Sequence, residues 1–247
     1  MINDVEALPG GNMGGATRAG ATVRRNAGPW SPTIQRLLGH LHDHGVDWVP
    51  SPLGFDERGR DSVSFLPGLV PNYPLPHWIW TDDVLADAGR RLAQLHRATA
   101  TFDTTDAVWQ LESRSPAEVV CHNDFAPYNM VFTDGRLTGV IDWDTASPGP
   151  RVWDLAYLAY RLVPLTEPQN VEAGPIDPHR RAGRLASLCD AYADGPRPAD
   201  VLPVVVDRLH ALANFTQSRA DEGNEHLRSH VDLYRNDAAW IADNMTC

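Results

Sequence analysis

The sequence predicts an α+β chain: a small strand-rich N-terminal part, a proline-rich link, and a larger helical part holding one β-hairpin. Three observations carry this expectation. Short alternating runs bounded by turn residues lie before residue 66, apolar residues recur at helical spacing in several stretches after residue 80, and an Asp-Gly pair separates two apolar runs at 134–135. At 247 residues with 43% hydrophobic content and eight tryptophans, the chain can bury a sizeable core as one large domain or two small ones.

Residues 1–29 are Gly-rich, with five glycines in 10–20, and contain one candidate strand, ATVRR (21–25). WSPTIQRLLGHLHDHG (30–45) reads as a helix: Ser31 is placed to cap it, Pro32 suits the first turn, Ile34, Leu37, Leu38 and Leu41 share one face, and Gly45 is a natural stop. The span from Pro50 to Gly68 reads as a hairpin turning near Glu57–Gly59, its second strand alternating Val63 and Phe65 with Ser62 and Ser64. Four prolines in LPGLVPNYPLPHW (66–78) mark a linker. Thr81 caps a helix running to about residue 98, with Val84, Leu85, Ala88, Leu92 and Leu95 on one face. Helical patterns also occupy 178–194, 200–220 and 224–243, the last with Leu227, Val231, Tyr234, Ala238 and Ile241 on one stripe.

Composition excludes several classes. A net charge of −11 and a pI of about 5.2 argue against general nucleic-acid binding, which needs a basic face. The charge is compatible with a cationic small substrate as well as with plain solubility. No apolar run approaches the roughly 20 residues of a membrane span, and MINDVEALPG carries acids where a signal peptide needs basic residues, so a cytoplasmic protein is expected. Cys121, Cys189 and Cys247 are too few and too scattered for a disulfide framework or a zinc site. All 21 basic residues are arginine. His40 and His44 in HLHDH fit a metal pair at i, i+4 or simply a helix C-terminus. The acids at 221–225 fit a cationic-substrate pocket or a solvated helix end.

The chemistry concentrates in VVCHNDFAPYN (119–129), where a buried strand is followed at once by His122, Asn123, Asp124 and Asn129. With Asp134–Gly135 as a two-residue turn, Thr133 faces Arg136 and the register runs on until Asn129 faces Val140. Asp142 then lies opposite Pro127, so Asp124, Asn129 and Asp142 gather at the open end of the hairpin. Two carboxylates and an amide suit Mg²⁺, which takes oxygen ligands and leans on substrate phosphates. A carboxylate not used by the metal can take a proton from an attacking hydroxyl.

HNDFAPYN has the form H-x-D-x-x-x-x-N, and GVIDWD supplies an acid thirteen residues after the Asn. Together with GVIDWDTASPGPRVWDLAYLAY, this block resembles the aminoglycoside phosphotransferase (phosphotransferase enzyme) family, specifically over 119–163 and fairly over 21–118. The resemblance implies a protein-kinase-like two-lobe fold: a shortened β-rich N-lobe (1–66), a hinge (67–78) and a mostly helical C-lobe (79–247) with a catalytic hairpin. It implies Asp124 as catalytic base, Asn129 and Asp142 as Mg²⁺ ligands, and His122, Asp144 and Asp154 as supporting groups, with Asp154 bonded to the catalytic-loop backbone. SVSFLPG resembles the inter-lobe hinge, which puts Ser64 and Leu66 beside the nucleotide.

The family's strand lysine and its helix glutamate are both missing, since helix 32–44 has no Glu. Arg24, or failing that Arg25, stands where the lysine belongs and can clamp phosphate bidentately. GGNMGGATRAG (10–20) reads as a shortened nucleotide loop or as a flexible terminus. The expected activity is transfer of the γ-phosphate of ATP or GTP to a hydroxyl of a small acceptor, a cationic aminoglycoside-type antibiotic being one candidate. The oligomeric state is left open. Two other classes fit the same residues: a pseudokinase-like binding protein, and a metal-dependent phosphohydrolase using His122, Asp124, Asp142 and Asp144.

Overall fold

A computed structural model of the chain describes residues 5–8, 15–170, 172–193 and 195–245. The described residues form two compact units, each built from separated segments. The first takes residues 1–70, 94–124 and 129–150, and the second 71–93, 125–128 and 151–247. The proline-rich link at 67–78 accounts for one of these breaks, between Val70 and Pro71.

The first unit opens with a five-stranded antiparallel sheet in the order β1-β2-β3-β5-β4. Its strands are β1 (Val5–Ala7), β2 (Thr17–Ala19), β3 (Thr22–Arg25), β4 (Pro52–Phe55) and β5 (Asp61–Ser64). Only β3 was expected before residue 30. β1 and β2 escape pattern reading because three residues are too few to show an alternation. Residues 10–14 of the Gly-rich stretch lie outside the described residues; Gly20, at φ +62, makes the turn from β2 into β3. The hairpin of β4 and β5 turns at 56–60 as expected, with Gly59 at φ +71 and its N–H bonded to the Asp56 carbonyl. The alternation expected in β5 is absent: Asp61, Ser62 and Val63 are all buried, and Arg25 and Gln35 bond to Asp61 while Gln35 also bonds the Ser62 carbonyl.

Helix α1 (Ser31–Asp43) packs on β4 and buries Ile34, Leu37, Leu38 and Leu41, the expected face. Ser31 is not its cap. The N-cap is Trp30, without a side-chain bond, and the Ser31 hydroxyl accepts from the Gly28 N–H at 3.0 Å, fixing the turn before the helix. Gly45, at φ +75, ends it. Helix α2 (Asp82–Thr99) starts with the expected cap, the Val84 N–H reaching Thr81 Oγ1 at 3.4 Å. In the first unit Gln94 of α2 accepts from Trp48 Nε1 and donates to the Gly45 carbonyl, both at 3.1 Å. Two small antiparallel ladders complete this unit: β6 (Val119–Cys121) with β9 (Ser147–Gly149), and β7 (Met130–Thr133) with β8 (Arg136–Val140).

Gly68 is required by its surroundings. It has φ +147, and a Cβ there would lie 2.5 Å from Val131 Cγ1 and 2.7 Å from the Phe132 carbonyl oxygen, just before Leu69 bridges to Phe132. Gly68→Ala is therefore expected to destabilise the protein by roughly 1–3 kcal/mol, from strained backbone and overpacking together. A denaturant titration checks this, and an unchanged midpoint would contradict it.

The second unit is helical: the start of α2, then α3 (Arg151–Leu162), α4 (Arg181–Tyr192), α5 (Pro198–Asp221) and α6 (Arg228–Asn244), with α5 packed on α3 and α6. The stripe of α6 buries Val231, Ala238 and Ile241 as expected, and also Asp237. That carboxylate accepts from the Tyr160 hydroxyl (2.7 Å), Asn170 Nδ2 (2.6 Å) and the Glu167 N–H (2.8 Å), which satisfies it away from water. The acids at 221–225 belong to an exposed helix end, where Asp221 faces Arg228 at 3.6 Å and accepts from Gln217. No helix among the described residues is long and apolar enough to cross a membrane.

Candidate active site

The segment after β6 is held in shape by its own polar side chains. Asn123 adopts φ +64, a conformation that Asn tolerates better than most residues. Its amide donates to the Thr145 carbonyl (2.8 Å) and Ser147 Oγ (2.9 Å), while Thr145 Oγ1 donates to the His122 carbonyl (3.0 Å). His122 is fully buried, edge-on to Trp143. Its Nε2 donates to the Ile141 carbonyl at 3.1 Å and its Nδ1 accepts from the Asp124 N–H at 3.3 Å, so these bonds require the neutral ring protonated at Nε2. One imidazole thereby ties the backbone of Asp124 to the strand end that leads into Asp142.

Asn129 closes the other side of the loop. Its Nδ2 donates to both the carbonyl (3.0 Å) and Oδ2 (2.8 Å) of Asp124. With the nitrogen committed to Asp124, the amide oxygen is the atom left for a cation. Asp134 (φ +51) and Gly135 (φ +73) make the two-residue turn with both residues left-handed, and Thr133 faces Arg136 as expected. The register above differs from the expected one. A bulge at Val131/Phe132 gives β8 one extra residue, Thr138, whose hydroxyl donates to the Val131 carbonyl. Met130, not Asn129, therefore faces Val140, and the Ile141 N–H bonds the Asn129 carbonyl at 2.9 Å. Asp142, at φ +66, follows directly and is exposed.

The arginine brought to these acids is Arg25. Pairing of β3 with β5 sets Arg25 opposite Asp61, and Arg25 Nε meets Asp61 Oδ2 at 2.9 Å. Its Nη2 lies 2.9 Å from Asp144 Oδ1 and its Nη1 3.8 Å from Asp142 Oδ1. Arg24 points instead to Asp56, at 3.7 Å. From α1, which carries no glutamate, Gln35 donates to Asp61 Oδ1 (2.5 Å) and to the Ser62 carbonyl (2.9 Å), and accepts from the Gly54 N–H. Asp61 and Gln35 were not anticipated. The signal for Asp61 was available in the antiparallel register of two strands, whereas Gln35 is an ordinary polar residue on an amphipathic helix.

Burial works against the charge of Arg25, but Asp144, Asp61 and Asp142 outweigh it and hold the guanidinium more firmly protonated than usual. Desolvation raises the pKa of Asp144, and of Asp142 although about half of that side chain meets water, above the usual value, with Arg25 pulling each back and neighbouring carboxylates adding to the rise. Three carboxylates (Asp61, Asp142 and Asp144) thus face one guanidinium, with Asp124 near Asp142 as a fourth negative charge, an excess that a small divalent cation would relieve. The oxygen-only donor set of Asp142 and Asn129 fits Mg²⁺. Because the folded state holds the Asp142 and Asp144 protons more tightly than the unfolded chain, stability is lost as pH rises through their range. Stabilisation by Mg²⁺ in a thermal melt should therefore grow as pH rises through the range in which these carboxyls lose their protons. A pH-independent effect would contradict this.

The remaining anticipated residues lie as follows. The Ser64 hydroxyl accepts from the Ser51 N–H at 2.8 Å at the end of β5. Leu66 packs where a Cβ on Gly139 would approach to 2.6 Å. Asp154 is fully buried in α3, within the second unit. His40 and His44 stack at 3.9 Å and bond backbone carbonyls at Ala98 and His40 respectively.

Known proteins share this architecture. The chain is 35% identical over 199 residues to the trifolitoxin immunity protein of Rhizobium leguminosarum bv. trifolii, a match covering 77% of this chain and 75% of that one. Residues 100–202 match the model of the phosphotransferase enzyme family. The chain belongs to that family. Among solved structures, a choline/ethanolamine kinase family protein from Mesorhizobium loti superposes on this phosphotransferase-family chain with a TM-score of 0.69. The identity is 16%, over 98% of this chain and 88% of that one. A macrolide 2′-phosphotransferase from Brachybacterium faecium gives a TM-score of 0.61 at 18% identity, over 98% and 93%. At such identities the likeness shows the fold, the protein-kinase-like one expected from the central block.

Proposed function

We propose that this family member is a kinase that transfers the γ-phosphate of ATP or GTP to a hydroxyl of a small acceptor, in the cytoplasm and with Mg²⁺. One observation carries the reading: Asp124, Asn129 and Asp142 belong to a single compact unit, Asn129 bonded to Asp124, and the Arg25 guanidinium of the same unit is directed at Asp142. Asp124 accepts the acceptor's hydroxyl proton as its oxygen bonds to the γ-phosphorus and the bond to the β,γ-bridging oxygen breaks. Asn129 fixes the orientation of Asp124 through the 2.8 Å bond, and His122 fixes its backbone. Asn129 Oδ1 and Asp142 hold the metal, which when bound neutralises phosphate charge. Arg25, steadied by Asp61, grips phosphate oxygens in the role of the family's lysine.

The relative's role as a trifolitoxin immunity protein puts toxic compounds first among acceptors to test. The experiment is nucleotide binding by calorimetry, followed by ³²P transfer from labelled ATP or GTP across a panel of hydroxylated compounds. Binding of neither Mg·ATP nor Mg·GTP would overturn the proposal. Tight nucleotide binding with no transfer to any acceptor would favour the non-catalytic reading motivated by the missing lysine and glutamate.

A further inference from the structure

We infer that Asn123 is a positioning residue for this transfer: its side chain fixes where the base Asp124 stands relative to the metal ligand Asp142. The inference rests on the kinase reading, since it concerns the same two acids. Every group it uses belongs to the first unit, in residues 94–124 and 129–150. Asn123 sits between His122 and Asp124, is only 5% exposed, and takes φ +64. Its Nδ2 donates to the Thr145 carbonyl at 2.8 Å and to Ser147 Oγ at 2.9 Å. Ser147 opens β9, where pairing with β6 sets it opposite Cys121, and its hydroxyl donates in turn to the Glu112 carbonyl at 3.4 Å.

The two acids that follow the hairpin, Asp142 and Asp144, are bracketed by residues bonded to the base's own loop. Before them, the Ile141 carbonyl accepts from His122 Nε2 at 3.1 Å. After them, the Thr145 carbonyl accepts from Asn123, and Thr145 Oγ1 donates to the His122 carbonyl at 3.0 Å. The His122 ring thus holds one end of the acid-bearing turn and the Asn123 amide the other, so the separation of base and metal ligand is set from both sides. Asp142 takes φ +66 with 47% of its side chain exposed, so its backbone neighbours place it more than its own packing does.

Asparagine meets both demands of position 123. Glycine adopts a left-handed backbone freely but has no amide to donate. Aspartate tolerates that backbone, yet it would set a carboxylate against the Thr145 carbonyl oxygen. A residue that only shaped the loop would need the conformation alone. An amide directed at both 145 and 147 is what a link between base and metal ligand requires, because catalytic groups hold their geometry through the bonds of their supports.

The test compares Asn123→Gly with the wild type as full chains; glycine keeps the backbone conformation and removes both amide bonds. Phosphate release from Mg·ATP and from Mg·GTP, with water as the attacking hydroxyl, should show kcat lowered about 10–100-fold and KM for the nucleotide within about threefold. A role confined to stability would leave kcat per folded molecule unchanged, so wild-type kcat in this variant overturns the inference. Ser147→Ala should lower kcat in the wild type and add no further loss in Asn123→Gly, and fully additive losses overturn the inference too. A second measurement needs no turnover. Amide hydrogen exchange should show the protection of the Asp124 N–H reduced at least about tenfold in Asn123→Gly, with α1 amides unaffected. Unchanged protection at Asp124 overturns the inference even where phosphate release succeeds. If Asn123→Gly does not fold, Ser147→Ala, which removes one of the two bonds, is read by the same kinetics and exchange, and no change in either overturns the inference. A wild type that releases no phosphate from either nucleotide counts against the kinase reading, and the exchange result then decides by itself whether Asn123 holds Asp124 in place.

Discussion

Asp124→Ala is expected to lower the rate of phosphoryl transfer by roughly 10²–10⁴-fold, the range associated with a positioned acid or base, while Mg·nucleotide affinity stays within about threefold. The separation follows from the geometry. Asp124 is held by Asn129 through its side chain and by His122 through its backbone N–H. Neither of those bonds supplies the metal's oxygen donors, Asn129 Oδ1 and Asp142. Alanine therefore removes the proton acceptor and leaves the donors in place. Single-turnover kinetics beside calorimetric nucleotide titration measure the two effects independently. Comparable losses in both would mean that Asp124 serves the metal rather than the hydroxyl. Asp142→Ala should show the opposite division, weakening metal–nucleotide binding itself.

Arg25→Ala is expected to move two affinities in opposite directions. Loss of a charge-assisted contact to phosphate costs about 1.5–3 kcal/mol, so Mg·ATP or Mg·GTP affinity should fall by roughly 10–150-fold. The same substitution removes the positive charge that now lies 3.8 Å from Asp142 and 2.9 Å from Asp144, so affinity for Mg²⁺ alone should rise. Arg24→Ala, which removes a guanidinium that meets Asp56 at 3.7 Å, should change neither. Calorimetry with Mg²⁺, and then with Mg·nucleotide, on both variants checks this. Equal effects of the two substitutions, or weaker binding of free Mg²⁺ in Arg25→Ala, would refute the assignment of Arg25 as the phosphate grip.

The sequence made the loop chemistry readable because its spacing is local. His122, Asp124 and Asn129 lie within eight residues, and an Asp-Gly turn adds Asp142 by simple counting. Counting failed by one position because a bulge is invisible to alternation: Thr138 occupies an extra place in β8 that no residue type announces. The choice between Arg24 and Arg25 depended on which face of β3 turns toward the acids. Two neighbouring arginines in a four-residue strand carry no periodic signal, so only pairing of Arg25 with Asp61 across β5 settles which one meets them. The tyrosine surroundings of Arg161 were legible only in part: Tyr157, Tyr160 and Arg161 fall at helical spacing on α3, whereas the rings of Tyr73 and Tyr128 come from other segments.

The scattered make-up of the first unit has a consequence during synthesis. Its sheet is translated within the first 64 residues, yet the unit also needs 94–124 and 129–150. A nascent chain shorter than 142 residues therefore lacks Asp142, and one shorter than 124 lacks Asp124 as well. Arg25 and Asp61, already made, await their partners. Domains that form as units on the ribosome do so in order of completion, so the candidate site assembles late, and a fragment ending at the proline-rich link contains a sheet with no chemistry attached to it.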